Sequence, residues 1–397
     1  MALDWKKVLI VGLSSIVVSC VLYVSAIHWE HRTNDVIGPG RFSNSSLKSV
    51  TILFRHGNRA PMFTYKTDPH KNAFPEGKSE LTKKGKQNMY KKGQILRRLY
   101  NGFLSDLYLD SEILIKTTNK IRTYMSAAMV LAGMYPPKGY QKWSDTETVW
   151  QPIPIYNNSP DHGTLFDERG KCPAFDTTFK KLNTLFNNNT DQDTTTLMSY
   201  LSEKCGQLIT NTNIIKLYDL FICQALTNFN IALFLKIAEG LTLPEWIKPY
   251  HIEKIKSIIM TKKSSEMIYE NLRLQKIIIG PLLNEIGLNM ESNLNNNETR
   301  KMHLYSGHDI SIAMAMSFLG NTIELPDFGA SLHFHIHHDE INEDTVKVYF
   351  YNRWDNEEGK EVPILNCGNP CKFKDFKNML DNSLSGKWTE ECQELES

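Results

Sequence analysis

The sequence predicts an α/β protein built on an open, mainly parallel sheet flanked by helices. Three short apolar runs, at residues 50–54, 112–116 and 302–306, indicate buried strands. Each run is followed by a segment with helical character, beginning near residues 81, 120 and 310. Strands that alternate with helices are typical of α/β proteins with a parallel sheet.

The first predicted strand ends in the segment Arg55-His56-Gly57-Asn58-Arg59-Ala60-Pro61, which concentrates two guanidiniums and one imidazole. Arginines at the rim of a hydrophobic element favour an anion site, since guanidiniums fork onto carboxylate or phosphate oxygens. A histidine between them is expected to have a lowered pKa and to be neutral and nucleophilic. The alternative interpretation is a solvated basic turn.

The second predicted strand leads into a helix expected over residues 120–133, with Arg122 in its first turn. The N–H groups at a helix N-terminus attract anions, and an arginine there adds to the same positive potential. This position favours an anion site. The alternative is an exposed arginine tolerated for its helix propensity.

The third predicted strand ends in Tyr305-Ser306-Gly307-His308-Asp309, and a helix is expected over residues 310–319. Asp309 considered alone is typical of a helix N-cap. Because the carboxyl ends of parallel strands meet at one edge of an open sheet, the charged groups of all three junctions are expected to converge there. Several positive or donor side chains around one histidine suit a phosphate monoester dianion.

These three segments together resemble the histidine acid phosphatases, a branch of the histidine phosphatase superfamily. The resemblance rests on R-H-G-x-R-x-P, on residues 117–127 and on Tyr-Ser-Gly-His-Asp, and it extends over most of residues 48–392. It implies a phosphoglycerate-mutase-like sheet with a helical lobe inserted at about residues 155–265. It also implies roles in the reaction: His56 as nucleophile, Asp309 as proton donor, and Arg55, Arg59, Arg122 and His308 as phosphate ligands.

The resemblance implies hydrolysis of phosphate monoesters through a phosphohistidine, with no metal and no cofactor. An aspartic acid donates a proton only while protonated, so an acidic optimum is expected. Three positions depart from the family pattern, with Asn58 for aspartate, Ala60 for serine and Lys116 for arginine. Two alternatives are a phytase-like or lysophosphatidate phosphatase on the same fold, and a catalytically silent secreted protein that binds anions.

The amino terminus indicates entry into the secretory pathway. Residues 1–7 carry two lysines and are expected to stay cytoplasmic, while residues 8–27 contain no charged side chain. This run is long enough for a signal anchor in type II orientation, but residues 24–26 also form an acceptable signal-peptide cleavage site. A polar linker is predicted over 28–47 and a short tail over 393–397. The expected location is extracellular or lysosomal, with membrane attachment if the segment is not cleaved.

The composition argues against nucleic-acid binding, because the formal net charge of the 397 residues is only +1. The expected partner is a small phosphate monoester, and the family resemblance suggests a homodimer. Asn-x-Ser/Thr glycosylation acceptors fit a luminal domain. They occur at Asn44, Asn157, Asn188 and Asn297.

Six cysteines remain when Cys20 in the apolar run is set aside, an even number that suits an oxidising compartment. Cys367 and Cys371 flank a turn sequence, which indicates either a disulfide or half of a zinc site. The family pairing implies the disulfides Cys172–Cys392 and Cys367–Cys371. The family's partner for Cys223 is missing near Leu332, and Cys205–Cys223 is predicted instead.

Several other elements follow from local patterns. A helix is expected from about residue 81 to 100 with Thr82 as its N-cap. The amphipathic stretch 214–241 contains charged residues and is expected to be a packed helix rather than a membrane span. Residues 288–298 are rich in asparagine and are predicted to form a loop. His333, His335 and His337 are expected on one strand face, where zinc chelation is geometrically conceivable.

Overall fold

The computed structural model describes residues 39–43, 46–146, 148–157, 172–188, 191–211, 213–224, 241–264, 271–297, 299–321, 325–338, 343–384, 390 and 392. The predicted signal segment 8–27, the tail 393–397 and the acceptor Asn44 lie outside these residues. Within the described part of the chain, every helix is too short or too polar to cross a bilayer.

An eight-stranded sheet organises the described residues, in the order β3-β2-β4-β1-β5-β6-β7, with β8 paired to β6. Strands β1 to β4 pair in parallel, whereas β5 joins β1 in antiparallel orientation and begins an antiparallel extension. The predicted parallel arrangement therefore holds for the strands that carry the three charged junctions. The strands are β1 Leu47–Arg55, β2 Ile113–Thr117, β3 Tyr156–Asn157, β4 Met302–Gly307, β5 Ser331–His338, β6 Asp344–Tyr351, β7 Lys360–Val362 and β8 Cys371–Lys372.

Helices cover both faces of the sheet, as the predicted α/β class requires. A single-turn 3-10 helix, Gly139–Gln141, follows the second helix. The α-helices are α1 Lys83–Leu99, α2 Ile121–Met134, α3 Pro173–Asn188, α4 Gln192–Cys205, α5 Ile214–Gln224, α6 Pro249–Ser264, α7 Leu272–Ile278, α8 Gly280–Leu294, α9 Asp309–Phe318 and α10 Phe373–Leu384.

Strand β1 is apolar on both faces because it separates two hydrophobic cores. Ile52 and Phe54 point into one core with residues of α1 and α2. Leu53 points into the other core, with residues of α7 to α10. Since successive strand side chains alternate between faces, a strand buried on both sides reads as a continuous apolar run.

The helices α4, α5 and α6 enclose a third core together with Tyr65 from the loop after β1. Leu217, Leu220 and Phe221 of α5 are fully buried there. Residues at this spacing lie on one face of a helix, which is how the amphipathic pattern packs. Residues 225–240, the rest of the long helix expected from the sequence, lie outside the described residues.

The predicted N-cap of α1 is confirmed, whereas the loop predicted over residues 288–298 is wrong. The Thr82 side chain accepts a hydrogen bond from Gly85 N, as expected for the N-cap of α1. The loop predicted over 288–298 is helical as far as Leu294. Ile286 and Met290 are buried one turn apart on α8, so packing of an apolar face outweighs the asparagine-rich composition.

The predicted linker 28–47 ends earlier than the sequence suggested. Phe42 is buried beside Tyr100, at a ring-centroid distance of 5.4 Å. The Phe42 backbone N–H also donates to the Leu99 carbonyl over 3.1 Å, and β1 already begins at Leu47. The end of the expected linker is therefore part of the folded domain.

The structure contains two of the three predicted disulfides, Cys172–Cys392 and Cys367–Cys371. The predicted Cys205–Cys223 disulfide is wrong, since both residues are buried thiols. Cys205 packs in the core formed by α4, α5 and α6, whereas the Cys223 sulfur lies 3.6 Å from Nη1 of Arg59. The two sulfurs therefore face different neighbours.

Candidate active site

The three predicted junctions meet at one edge of the sheet because their strands are adjacent and parallel. Arg55 at the end of β1 is in register with Gly307 of β4. Thr117 at the end of β2 is in register with Ser306 of the same strand. The segments that follow these positions carry His56, Arg122 and His308, so the convergence expected from the sequence is observed.

His56 is buried, and one backbone contact defines which of its nitrogens carries a proton. Its Nδ1 lies 2.9 Å from the Gly57 carbonyl, which can only accept a hydrogen bond. Nδ1–H is therefore the donor, and Nε2 keeps its lone pair for attack. Burial, followed by the charges of Arg55 and Arg59, lowers the pKa of His56 well below its usual range. The neutral nucleophilic form predicted from the sequence is thus favoured.

The backbone around His56 is fixed by contacts from several elements. Its N–H donates to the Gly307 carbonyl and its own carbonyl accepts from Gly329 N, over 3.1 and 3.2 Å. The N–H of Gly57 donates to Ser126 Oγ of α2 over 3.0 Å. A Cβ at Gly57 would lie 2.6 Å from the Met89 side chain, so only glycine allows this close approach.

Arg55 is held on three sides. Its Nη1 donates to the Pro326 carbonyl over 2.7 Å, and its guanidinium lies 4.1 Å from the centre of the Phe328 ring. Its Nη2 is 3.5 Å from Asp309 Oδ2, which places the predicted proton donor beside a predicted phosphate ligand. The Asp309 side chain is 38% exposed and can therefore reach a ligand that enters from solvent.

Arg122 and His308 also lie together. Nη2 of Arg122 is 3.5 Å from Nδ1 of His308, and Nε2 of His308 is 3.1 Å from Thr118 Oγ1. Because a guanidinium only donates, this contact makes Nδ1 the acceptor and leaves the proton of a neutral ring on Nε2. The His308 and His56 rings meet edge to face at a centroid distance of 5.6 Å.

Arg59 has a partner that sequence reasoning missed. Its Nη2 lies 2.7 Å from Asp219 Oδ1 and its Nη1 lies 3.1 Å from Asp219 Oδ2, a bidentate ion pair with the lobe helix α5. In the sequence, Asp219 is one of several charged residues of an amphipathic helix and carries no local signal. Only the packing of α5 against the loop after β1 brings it to the site.

Asn58, one of the three departures from the family pattern, is buried and forms hydrogen bonds within the fold. Its Oδ1 accepts from Asn88 Nδ2 of α1 over 2.9 Å. Its backbone carbonyl accepts from Thr82 N over 3.1 Å. The amide therefore ties the site loop to the first turns of α1.

Two histidines of β5, His333 and His335, belong to a buried array of polar side chains. The Tyr100 hydroxyl lies 2.7 Å from His333 Nδ1 and 2.8 Å from His335 Nε2. Ser331 Oγ lies 2.8 Å from His333 Nε2 and accepts from Lys92 Nζ over the same distance. His333, His335 and His337 lie on one face of β5, as expected from the sequence. In the described part of the chain, no group of three or more His, Cys, Asp or Glu side chains is arranged to hold a metal ion.

Comparison with protein families places these residues in a known context. The family described as the histidine phosphatase superfamily (branch 2) matches residues 46–351. The chain therefore belongs to this superfamily, which confirms the predicted family. The match includes all three strand-to-helix junctions of the site.

Individual relatives are similar over most of their length. Prostatic acid phosphatase of Mus musculus is 29% identical over 364 residues, covering 88% of this chain and 90% of the relative. Lysosomal acid phosphatase of Xenopus laevis is 30% identical over 376 residues, covering 87% and 79%. Among solved structures, the phytase of Hafnia alvei in complex with tartrate has a TM-score of 0.61 at 17% identity, covering 88% of this chain and 98% of the phytase. This likeness confirms the fold.

Proposed function

We propose that this protein is an acid phosphatase that hydrolyses phosphate monoesters through a phosphohistidine at His56. The observation that carries the proposal is the His56 ring itself. It is neutral, its Nδ1 is bound to the Gly57 carbonyl, and it lies among Arg55, Arg59 and Arg122. The relatives named as prostatic and lysosomal acid phosphatases support the same activity.

In the first step, Nε2 of His56 attacks phosphorus in line with the leaving oxygen. The phosphorus–oxygen bond breaks, and Asp309 gives its proton to the leaving alkoxide. Arg55, Arg59, Arg122 and His308 bind the phosphoryl oxygens, and the three arginines stabilise the equatorial oxygens while charge shifts in the transition state. In the second step, water attacks the phosphoryl group, Asp309 accepts the water proton, and His56 is regenerated with release of inorganic phosphate.

The activity is tested with an aryl phosphate, from about pH 4 to about pH 8 in the presence of EDTA. The full chain is compared with His56→Ala and with His70→Ala, a matched change in the loop after β1. We expect hydrolysis that is fastest at acidic pH, is lost in His56→Ala and is retained in His70→Ala. A correctly folded wild-type chain without activity would favour an anion-binding protein instead.

A second candidate is a phytase-like phosphatase, favoured by the fold likeness to phytases. A substrate panel separates the two. Preference for aryl phosphate over inositol hexakisphosphate, measured as kcat/KM, supports the first proposal, and the reverse order supports the phytase. Lysophosphatidate tests a lipid phosphate in the same panel.

The proposal also covers the domain bounds, location, glycosylation and oligomeric state of the protein. We extend the phosphatase domain predicted at residues 48–392 back to Phe42, which packs in the folded core, and place it, with the helical lobe at about 155–265, on the extracellular or lysosomal side. Asn157 and Asn297 are exposed, which suits glycosylation, and Asn188 is the last residue of α3. A mass decrease on treatment with an N-glycosidase tests the modification. Carbonate extraction tests membrane attachment, and light scattering tests the suggested homodimer.

A further inference from the structure

The ion pair between Arg59 and Asp219 uses the geometry by which arginine binds phosphate. Both terminal nitrogens of Arg59 meet the two carboxylate oxygens, over 2.7 and 3.1 Å. The Arg59 and Asp219 side chains are only 6% and 13% exposed, so solvent screens the pair weakly. A guanidinium binds carboxylate and phosphate through the same two-pronged hydrogen bonds. Asp219 therefore occupies the edge of Arg59 that a phosphate would use.

Other contacts keep Asp219 in this place. Its Oδ2 also accepts from the backbone N–H of Met62 over 3.2 Å, and its Oδ1 lies 4.0 Å from the Cys223 thiol, so four donors surround one carboxylate. Nη1 of Arg59 has a further acceptor in the Ala60 carbonyl, at 3.1 Å. Its Nε is buried and has no hydrogen-bond partner among the described residues. Because Nε is buried, an incoming phosphate must displace Asp219 to bind both terminal nitrogens of Arg59.

We propose that Asp219 is a specificity-determining residue that competes with phosphate for Arg59. The inference rests on the proposed function, because it takes the Arg59 guanidinium to be a phosphate ligand. The Asp219 carboxylate neutralises one guanidinium of the site, so it lowers the affinity for anions and hastens release of inorganic phosphate. The repulsion grows with the charge of the ligand. Asp219 therefore disfavours a polyphosphorylated substrate more than a monoester.

Calorimetric titration of inorganic phosphate into the full chain tests the competition directly. Asp219→Asn keeps the size of the side chain and removes its charge, and we expect it to bind phosphate roughly tenfold more tightly than the wild type. Asp193→Asn is the matched control, because Asp193 lies on helix α4 of the same lobe with an 86% exposed side chain. It should bind phosphate with the wild-type affinity.

Equal or weaker phosphate binding by folded Asp219→Asn would overturn the proposal and leave Asp219 with a purely structural role. Asp219→Ser removes the same charge and serves if the asparagine variant does not fold, a property checked by circular dichroism. A substrate arm adds a second readout. The ratio of kcat/KM for inositol hexakisphosphate to that for aryl phosphate should rise in Asp219→Asn, and an unchanged ratio would contradict a role in specificity.

The binding measurement does not depend on turnover, so the two proposals fail separately. If wild type and Asp219→Asn both lack hydrolysis but the variant binds phosphate more tightly, the competition stands and the proposed function fails. If the wild type hydrolyses aryl phosphate and the variant gains no affinity, only the competition fails.

Discussion

A single carbonyl oxygen determines the chemistry available to His56. The Gly57 carbonyl holds the Nδ1 proton and so leaves the lone pair of the neutral ring on Nε2, the atom proposed to attack phosphorus. Burial, and then the cationic neighbours, lowers the pKa of His56 well below its usual range and favours the neutral ring. The sequence predicted the cationic neighbours, because Arg55 and Arg59 flank the histidine. It did not predict the Gly57 contact, since the conformation of the loop after β1 depends on its packing against α1 and α2.

The packing of this loop against α1 leads us to expect a loss of activity in Gly57→Ala. The new Cβ would lie 2.9 Å from the Gly85 carbonyl of α1, and a backbone atom there cannot turn aside. The loop that carries His56 must shift, and a misplacement of about 1 Å can cost roughly a hundredfold in rate. We expect kcat for aryl phosphate to fall by at least about tenfold.

The matched control is Gly368→Ala, whose added Cβ would meet its nearest neighbour at an ordinary 3.4 Å. It should keep the wild-type kcat. A wild-type rate in folded Gly57→Ala would contradict the account of the site loop.

The packing of α1 on the sheet buries a lysine side chain, which the sequence did not predict. Lys92 is 1% exposed and directs its ammonium at Ser331, next to the array of Tyr100, His333 and His335. The sequence placed Lys92 in a lysine-rich amphipathic helix, where most lysines are solvated. Its burial follows from the position of β5, a strand whose antiparallel pairing with β1 joins distant parts of the chain.

Lys92→Met is expected to stabilise the protein at acidic pH. Burial lowers the pKa of Lys92 from 10.5 to about 7. The unfolded chain therefore binds more protons between these values, and wild-type stability rises with pH across that interval. Below about pH 7 the folded state carries the buried ammonium at its full cost. Replacement by an apolar side chain of similar volume should add about 2 kcal/mol to the free energy of unfolding.

Urea unfolding near pH 5 and near pH 9 measures this effect, with exposed Lys91→Met as the matched control. The gain for Lys92→Met should be larger at the lower pH, and Lys91→Met should change little at either. A loss of stability at pH 5 would show that the hydrogen bond from Lys92 to Ser331 outweighs the cost of the buried charge.

Across the whole molecule, local sequence patterns predicted the features that neighbouring residues determine. They did not predict the contacts that depend on packing between distant parts of the chain. The three strand-to-helix junctions were predictable because each strand and its following helix are adjacent in the sequence. The ion pair of Arg59 with Asp219 joins residues 160 positions apart, and no local pattern reports it. The same limit explains the wrong Cys205–Cys223 disulfide, since the direction of each sulfur depends on the packing of the lobe.

The two disulfides are expected to contribute different amounts to the free energy of unfolding. Cys172–Cys392 closes a loop with a sequence separation of 220, whereas Cys367–Cys371 closes one of 4. A longer loop loses more entropy in the unfolded chain when it is closed. Replacing Cys172 and Cys392 by serine should lower the free energy of unfolding by about 2–5 kcal/mol. The same change at Cys367 and Cys371 should cost less, and equal losses in urea unfolding would contradict this explanation.

Covalent phosphorylation of His56 during turnover is tested by trapping the phosphorylated intermediate. Aryl phosphate is mixed with the full chain, the reaction is quenched rapidly in alkali, and the site of the phosphoryl group is mapped by mass spectrometry. We expect phosphate on Nε2 of His56 in the wild type and none in His56→Ala. A phosphoryl group found on another residue during turnover would contradict a phosphohistidine at His56. Activity retained in His56→Ala would contradict it as well.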